Sequence, residues 1–126
     1  FFLSFPYPGH VKAVVALRFA PNGYHVATGS DDHTVRLWDL RQRKSFYTLP
    51  AHKSIVSALR YDRNGDMLVT CAFDNTIKIW SMPTCNPLKT LEGHDGKVMC
   101  VDISSDQAHT IVSAGYDRTI KLWGPE

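Results

Sequence analysis

The stretch Thr70-Cys71-Ala72-Phe73-Asp74-Asn75-Thr76-Ile77-Lys78-Ile79-Trp80 places a hydroxyl, an aspartate four residues on, and a tryptophan six residues further. The same three residue types stand in the same register at Thr28, Asp32 and Trp38, and again at Ser113, Asp117 and Trp123. Upstream of each set a small residue precedes a histidine, at Gly9-His10, Ala51-His52 and Gly93-His94. The histidines are 42 residues apart both times, and the tryptophans 42 and then 43. The 126 residues are therefore three units of about 42. A period of that length points to a repeat architecture in which each unit buries its faces against its neighbours.

Working outward, each unit reads as short strands. Val14–Phe19, Val56–Tyr61 and Val98–Ile103 are apolar and rich in β-branched residues, the composition of a buried strand. Turn signals follow at Pro21-Asn22-Gly23, Asn64-Gly65 and Ser105-Asp106-Gln107. Second strands are expected at His25–Thr28, Met67–Thr70 and Thr110–Ser113, and a tight turn then carries the aspartate. The third strands alternate, as in Val35-Arg36-Leu37-Trp38, Ile77-Lys78-Ile79-Trp80 and Ile120-Lys121-Leu122-Trp123, so Val35 and Leu37 face one way and Arg36 and Trp38 the other. Fourth strands are expected at Ser45–Leu49 and Leu88–Leu91, with Leu3–Tyr7 at the equivalent place before His10. Pro6 is compatible only with an edge strand there. No helix of useful length is expected.

Four antiparallel strands per unit, with Gly-His and Trp-Asp marks, resemble the WD40 repeat family. The resemblance covers the whole chain and implies an all-β propeller with repeats at 1–50, 51–92 and 93–126, the last lacking its own outer strand. Closed propellers hold roughly 4–8 blades. The expectation is therefore a partial view of a longer, seven-bladed ring. Four departures concern local turns: Ala51 replaces a glycine, Trp80-Ser81 and Trp123-Gly124 lack the terminal aspartate, and the third unit has one extra residue near Ala108-His109. The resemblance further implies a hydrogen-bonded tetrad in each blade, from His10, Thr28, Asp32 and Trp38; from His52, Thr70, Asp74 and Trp80; and from His94, Ser113, Asp117 and Trp123.

Other chemistry finds little support. Aspartate, histidine and hydroxyl together invite comparison with a hydrolase triad, but the set occurs three times and no Gly-x-Ser-x-Gly elbow precedes a hydroxyl. No catalytic residue, metal site or cofactor is expected. Gly93-His94-Asp95-Gly96-Lys97 has two residues between its glycines and Val98 after the lysine, which does not fit a phosphate-binding P-loop. Three cysteines, Cys71, Cys85 and Cys100, without paired spacing argue for small buried or half-buried thiols in a reducing compartment. At 44% hydrophobic and 21% charged residues, the chain is neither a disordered tail, a collagen-like fibre nor a disulfide-dense miniprotein. Its apolar runs are too short to span a membrane as a helix. A net charge of +2 neither demands nor excludes nucleic acid.

A propeller binds through the loops at its channel mouth while its strands hold shape. On this sequence those positions are Lys12, Lys53 and Lys97 after the histidines, and Asp31, Phe73 and Tyr116 before the aspartates. Lysines beside aromatics suit a protein partner, although Phe73 and Tyr116 equally fit as packing against a neighbouring blade. On the opposite face, Arg41, Arg43 and Lys44 form a short basic run, read as a solvated loop or as a contact for RNA or an acidic protein.

Several stretches, among them Leu40-Arg41-Gln42-Arg43, Pro50-Ala51-His52 and Tyr116-Asp117-Arg118-Thr119, contain many residues outside the general repeat pattern, notably in the first two. They resemble the carboxy-terminal repeats of the WD-repeat splicing factors of the U4/U6 small nuclear ribonucleoprotein. That resemblance implies a nuclear, non-enzymatic scaffold in the U4/U6 particle and the tri-snRNP. It also implies a cyclophilin H-type partner held through regions outside these repeats. The competing expectation is a general WD40 adaptor in signalling or as a ubiquitin-ligase substrate receptor.

Overall fold

The computed structural model describes residues 4–106 and 109–124, which contain eleven strands and no helix. Strands β1 (Val14–Phe19), β2 (His25–Ser30), β3 (Val35–Asp39) and β4 (Lys44–Leu49) form one antiparallel sheet in sequence order. Strands β5 (Val56–Tyr61), β6 (Met67–Ala72), β7 (Thr76–Ser81) and β8 (Pro87–Glu92) form a second, and β9 (Val98–Ile103), β10 (Ile111–Gly115) and β11 (Ile120–Trp123) a third. These sheets are three consecutive blades of a β-propeller. The first strands are innermost, with β1 against β5 and β5 against β9.

Local chemistry explains the hairpins. Gly23 and Gly65 take φ of 81° and 79°, a conformation that costs glycine nothing. Before Gly23, the Asn22 side-chain oxygen accepts from the backbone N–H groups of Tyr24 and His25, closing an Asx turn. At the other end of the blades the residue after each tetrad aspartate is left-handed, with φ of 75° at His33, 73° at Asn75 and 65° at Arg118.

Two apolar cores lie between the blades. The first joins Val35, Leu37 and Leu49 to Val56, Leu59, Leu68 and Trp80. The second joins Val69, Ile77 and Leu91 to Val98, Val101 and Ile111. Blades approach closely enough that a Cβ on Gly29 would stand 2.7 Å from Val56 Cγ1. Ala51 is wholly buried in the first core, so its methyl is accommodated where a Cβ on Gly9 would come within 2.7 Å of Trp38. Arg60 and Asp102, 3.6 Å apart, link blades two and three.

Equivalent positions differ by what covers them. Val35 and Ile77 are fully buried by the next blade, but Ile120 is 74% exposed. On the opposite flank Val56 and Val98 are fully buried, while Val14 is 49% exposed. The same reasoning corrects the expectation for the cysteines. Cys71 is buried and Cys85 half-buried, but Cys100 is exposed. Its counterparts Ala16 and Ala58 pack against a following blade, and nothing among the described residues covers Cys100. Burial pushes the Cys71 thiol up to about 12, which leaves it a poor nucleophile at neutral pH.

Two further expectations need correction. Residues 4–7 form no strand: Pro6 within them and Pro8 just after lack the backbone N–H that a ladder needs; Leu3 lies outside the described residues. Lys44 is not in the loop but begins β4, opposite Asp39 of β3. Of the extra residue near Ala108-His109, Ala108 lies outside the described residues and His109 has φ of 53°.

Candidate functional site

The repeated polar residues converge once in each blade. The loop entering the first strand supplies the histidine, the second strand the hydroxyl, the following turn the aspartate and the third strand the tryptophan. His10 Nδ1 stands 2.9 Å from Asp32 Oδ2 and its Nε2 2.6 Å from Thr28 Oγ1. Trp38 Nε1 donates to the same Thr28 oxygen at 2.8 Å. In blade two the corresponding distances are 3.0 Å from His52 to Asp74, 2.8 Å from His52 to Thr70 and 3.0 Å from Trp80 to Thr70. In blade three they are 2.9 Å from His94 to Asp117, 2.7 Å from His94 to Ser113 and 2.9 Å from Trp123 to Ser113.

An ionised carboxylate can only accept, so the histidine Nδ1–H donates to it, and the indole N–H can only donate, so the hydroxyl oxygen accepts there. The same arrangement recurs in all three blades. The hydroxyls are buried, each held between a tryptophan and a histidine of its own blade, so the arrangement serves to fix the blade.

A fifth residue of the network escaped the sequence reading. Thr34, Thr76 and Thr119, two residues after each aspartate, donate their side-chain O–H to the second carboxylate oxygen at 2.6, 2.7 and 2.8 Å. The backbone N–H groups of Val11, Lys53 and Asp95 add a further bond to each aspartate. The signal was available, since the Asp-x-Thr spacing recurs in all three units.

Burial pushes each of these carboxyls up, but the hydrogen bonds outweigh it. Those from Thr34 and His10 act on Asp32, those from His52 and Thr76 on Asp74, and those from Thr119 and His94 on Asp117. All three are held well below the usual carboxylate range. A carboxyl lowered on folding stabilises the native state above its unfolded value, about 3.9, and that contribution is lost as pH falls through the folded value. Stability is thus expected to hold above about pH 4 and to fall steeply below it, as followed by tryptophan fluorescence. Asp74→Asn should flatten that acid limb. A stability indifferent to pH between about 5 and 2 would contradict the network's electrostatics.

Where blades two and three meet, Lys97 Nζ lies 4.8 Å from the Phe73 ring centroid and 5.6 Å from that of Tyr116. Residues from blades two and three are thereby gathered at one junction, with Lys97 and Tyr116 exposed and Phe73 half-buried. The side chains of Lys12, Asp31 and Lys53 make no hydrogen bond or ion pair among the described residues. On the opposite face Arg41 pairs with Asp39 at 3.1 Å and lies 3.7 Å over the Tyr24 ring, while Arg43 lies 4.0 Å over Phe5. A cavity of about 150 Å³ opens between blades one and two beside His25, Phe46 and Tyr61. Another of about 210 Å³ lies on the uncovered flank of blade one, against Tyr7, Val14 and Trp38. Among the described residues no three His, Cys, Asp or Glu side chains are grouped to hold a metal ion.

Comparison with known proteins places this geometry. The chain is 56% identical over 41 residues to Protein Notchless of Drosophila melanogaster, a match covering 32% of this chain and 8% of that protein. It is 48% identical over 40 residues to a Notchless protein homolog of Arabidopsis thaliana, again 32% of this chain and 8% of the relative. It is also 46% identical over 39 residues to a ribosome biogenesis protein BOP1 homolog of Leishmania braziliensis, 31% of this chain and 5% of the relative. The matched segments thus span less than a tenth of these relatives. The model of the family described as WD domain, G-beta repeat matches residues 2–39, 43–81 and 85–124. With three matches running through nearly the whole chain, and a tetrad of the same design in each of three blades, the chain belongs to the WD40 repeat family.

Proposed function

We propose that this chain supplies three blades of a larger closed ring, and that the ring is a non-enzymatic scaffold assembling proteins of the U4/U6 snRNP and tri-snRNP in the nucleus, in support of pre-mRNA splicing. The observation that carries the scaffold reading is the fate of the polar residues. The repeated histidines, aspartates and hydroxyls are spent inside the blades, and what remains for chemistry is the exposed loops. Partner contact is assigned to the channel-mouth set of Lys12, Asp31, Lys53, Phe73, Lys97 and Tyr116, where Lys97 and two rings already stand together. A cyclophilin H-type partner would bind outside these residues.

The choice of assembly rests on residues the blade does not need. The β3–β4 turn carries Arg41-Gln42-Arg43, while the same turn in blade two manages with Pro83-Thr84-Cys85. A second reading, assembly of ribosome precursors, is favoured by the name of the BOP1 relative. That match is one repeat long, a length over which the tetrad and turns required by any such blade contribute much of the identity. Affinity purification of the full-length protein from nuclei, followed by mass spectrometry, separates the readings. Co-purification of U4/U6 proteins is expected. Ribosome-precursor proteins would favour the second reading, and cullins or G-protein subunits would favour a ubiquitin-ligase or signalling adaptor.

A further inference from the structure

The turns at the end of blade one opposite the tetrad aspartates carry a cluster that blade two does not. The Arg41 Cζ stands 3.7 Å from the Tyr24 ring centroid and that of Arg43 4.0 Å from the Phe5 centroid, both within stacking distance. The His25 ring stands 4.5 Å from Tyr24 and 5.0 Å from Phe46. Phe5 and Phe46 are 48% and 46% exposed, and Lys44 is exposed beside them at the start of β4.

The repeat supplies its own control. Pairing of Val35 with Leu49 and of Ile77 with Leu91 aligns the two hairpins. Tyr24, His25, Arg41, Arg43, Lys44 and Phe46 then stand where blade two has Asp66, Met67, Pro83, Cys85, Asn86 and Leu88. Arg43 and Cys85 even share a φ of 57°. The same backbone forms without the charges or the rings, so the fold does not account for them.

The geometry also selects a ligand. Arg41 Nε and Nη2 already donate to Asp39, at 3.3 and 3.1 Å. Its Nε/Nη2 edge, one of the two that could grip a carboxylate in a fork, is taken, and one face rests on Tyr24. What it offers is a flat outer face, a surface on which a nucleic-acid base stacks. Arg43 repeats the arrangement over Phe5, and neither Arg43 nor Lys44 is ion-paired among the described residues.

We propose that this face of blade one binds single-stranded nucleic acid, with bases stacked on the outer faces of Arg41 and Arg43 and on Phe46, and with Arg43 and Lys44 meeting the phosphates. This surface is separate from the channel-mouth contact and does not depend on which assembly the scaffold serves.

The test titrates the full-length protein with a fluorescein-labelled ten-nucleotide oligouridine, the matching oligodeoxythymidine, and a polyglutamate peptide, over a series of salt concentrations. The double variant Arg43→Gln with Lys44→Gln is expected to bind the oligonucleotide about tenfold more weakly and to lower the salt slope by about 1.4, two contacts at roughly 0.7 each. Phe46→Leu, which installs the blade-two residue, should weaken binding about fivefold or more with the slope unchanged. Arg41→Lys keeps the charge and removes the plane, and should behave like Phe46→Leu. Circular dichroism and tryptophan fluorescence of each variant establish that it is folded. Tighter binding of the uridine oligomer than of the thymidine oligomer assigns the face to RNA; equal binding supports the proposal for single strands in general. Oligonucleotide affinity and slope unchanged in all the variants would overturn it, as would variant-sensitive binding of polyglutamate alone.

Discussion

Trp80→Ala is expected to lower the unfolding free energy by about 3–5 kcal/mol, the usual cost of deleting a buried large aromatic. Two separate losses add up at this residue. Its ring is 4% exposed and sits in the core shared by blades one and two, so its removal opens a cavity on both blades at once. Its indole also donates to Thr70 Oγ1, and removing it leaves a buried hydroxyl short of one partner. Trp80→Phe separates these contributions. Most of the packing is kept, and the remaining loss should be about 1–3 kcal/mol, the cost of a buried polar group left unsatisfied. Trp123 makes the equivalent bond to Ser113 but is only half-buried, so Trp123→Ala should cost less than Trp80→Ala. Urea unfolding of the three variants reads the order directly. A Trp80→Ala loss below about 1 kcal/mol would mean that the blades are not held together as described.

That comparison shows what the sequence could and could not reveal. Strand positions were legible because alternation in Val35-Arg36-Leu37-Trp38 and its two counterparts leaves one register that buries the apolar set. The tetrads were legible because a hydroxyl, an aspartate and a tryptophan kept their spacing through three units, where a single copy would have been ambiguous. Burial was not legible in the same way. Val35 and Ile120 look alike in sequence, yet one is buried and the other exposed, since burial belongs to the neighbouring blade and not to the strand. Residues 4–7 form no strand for a more local reason, because Pro6 and Pro8 remove two backbone donors from a stretch that otherwise has strand composition. The pairing of Arg41 with Tyr24 was hidden too, because the two residues come from different hairpins of one blade and meet only when β2 and β3 lie side by side. Thr34, Thr76 and Thr119 were visible in the spacing, but threonine at a turn has many uses, and only the carboxylate geometry distinguishes this one.

The contrast between equivalent positions yields the second large effect. Ile77 is fully buried against blade three, and Ile77→Asp would place an unpaired carboxylate in an apolar core. The cost is expected to be about 3–5 kcal/mol or more, enough to consume most of the stability of a small domain. Ile120 occupies the same place in blade three and is 74% exposed. In the 126-residue chain Ile120→Asp should therefore shift stability by no more than about 0.5 kcal/mol, as at an ordinary surface site. The proposed ring reverses that second result. If a further blade covers Ile120 and Leu122 as blade two covers Val35 and Leu37, then in the full-length protein Ile120→Asp should be as damaging as Ile77→Asp. Cys100, exposed on the same sheet, should also become slow to alkylate there, because a covering blade excludes the reagent. Denaturant unfolding and iodoacetamide labelling of the two proteins side by side measure both. An Ile120→Asp variant that remains neutral in the full-length protein, with Cys100 still freely labelled, would mean that no blade packs against this face and that the ring does not close across it.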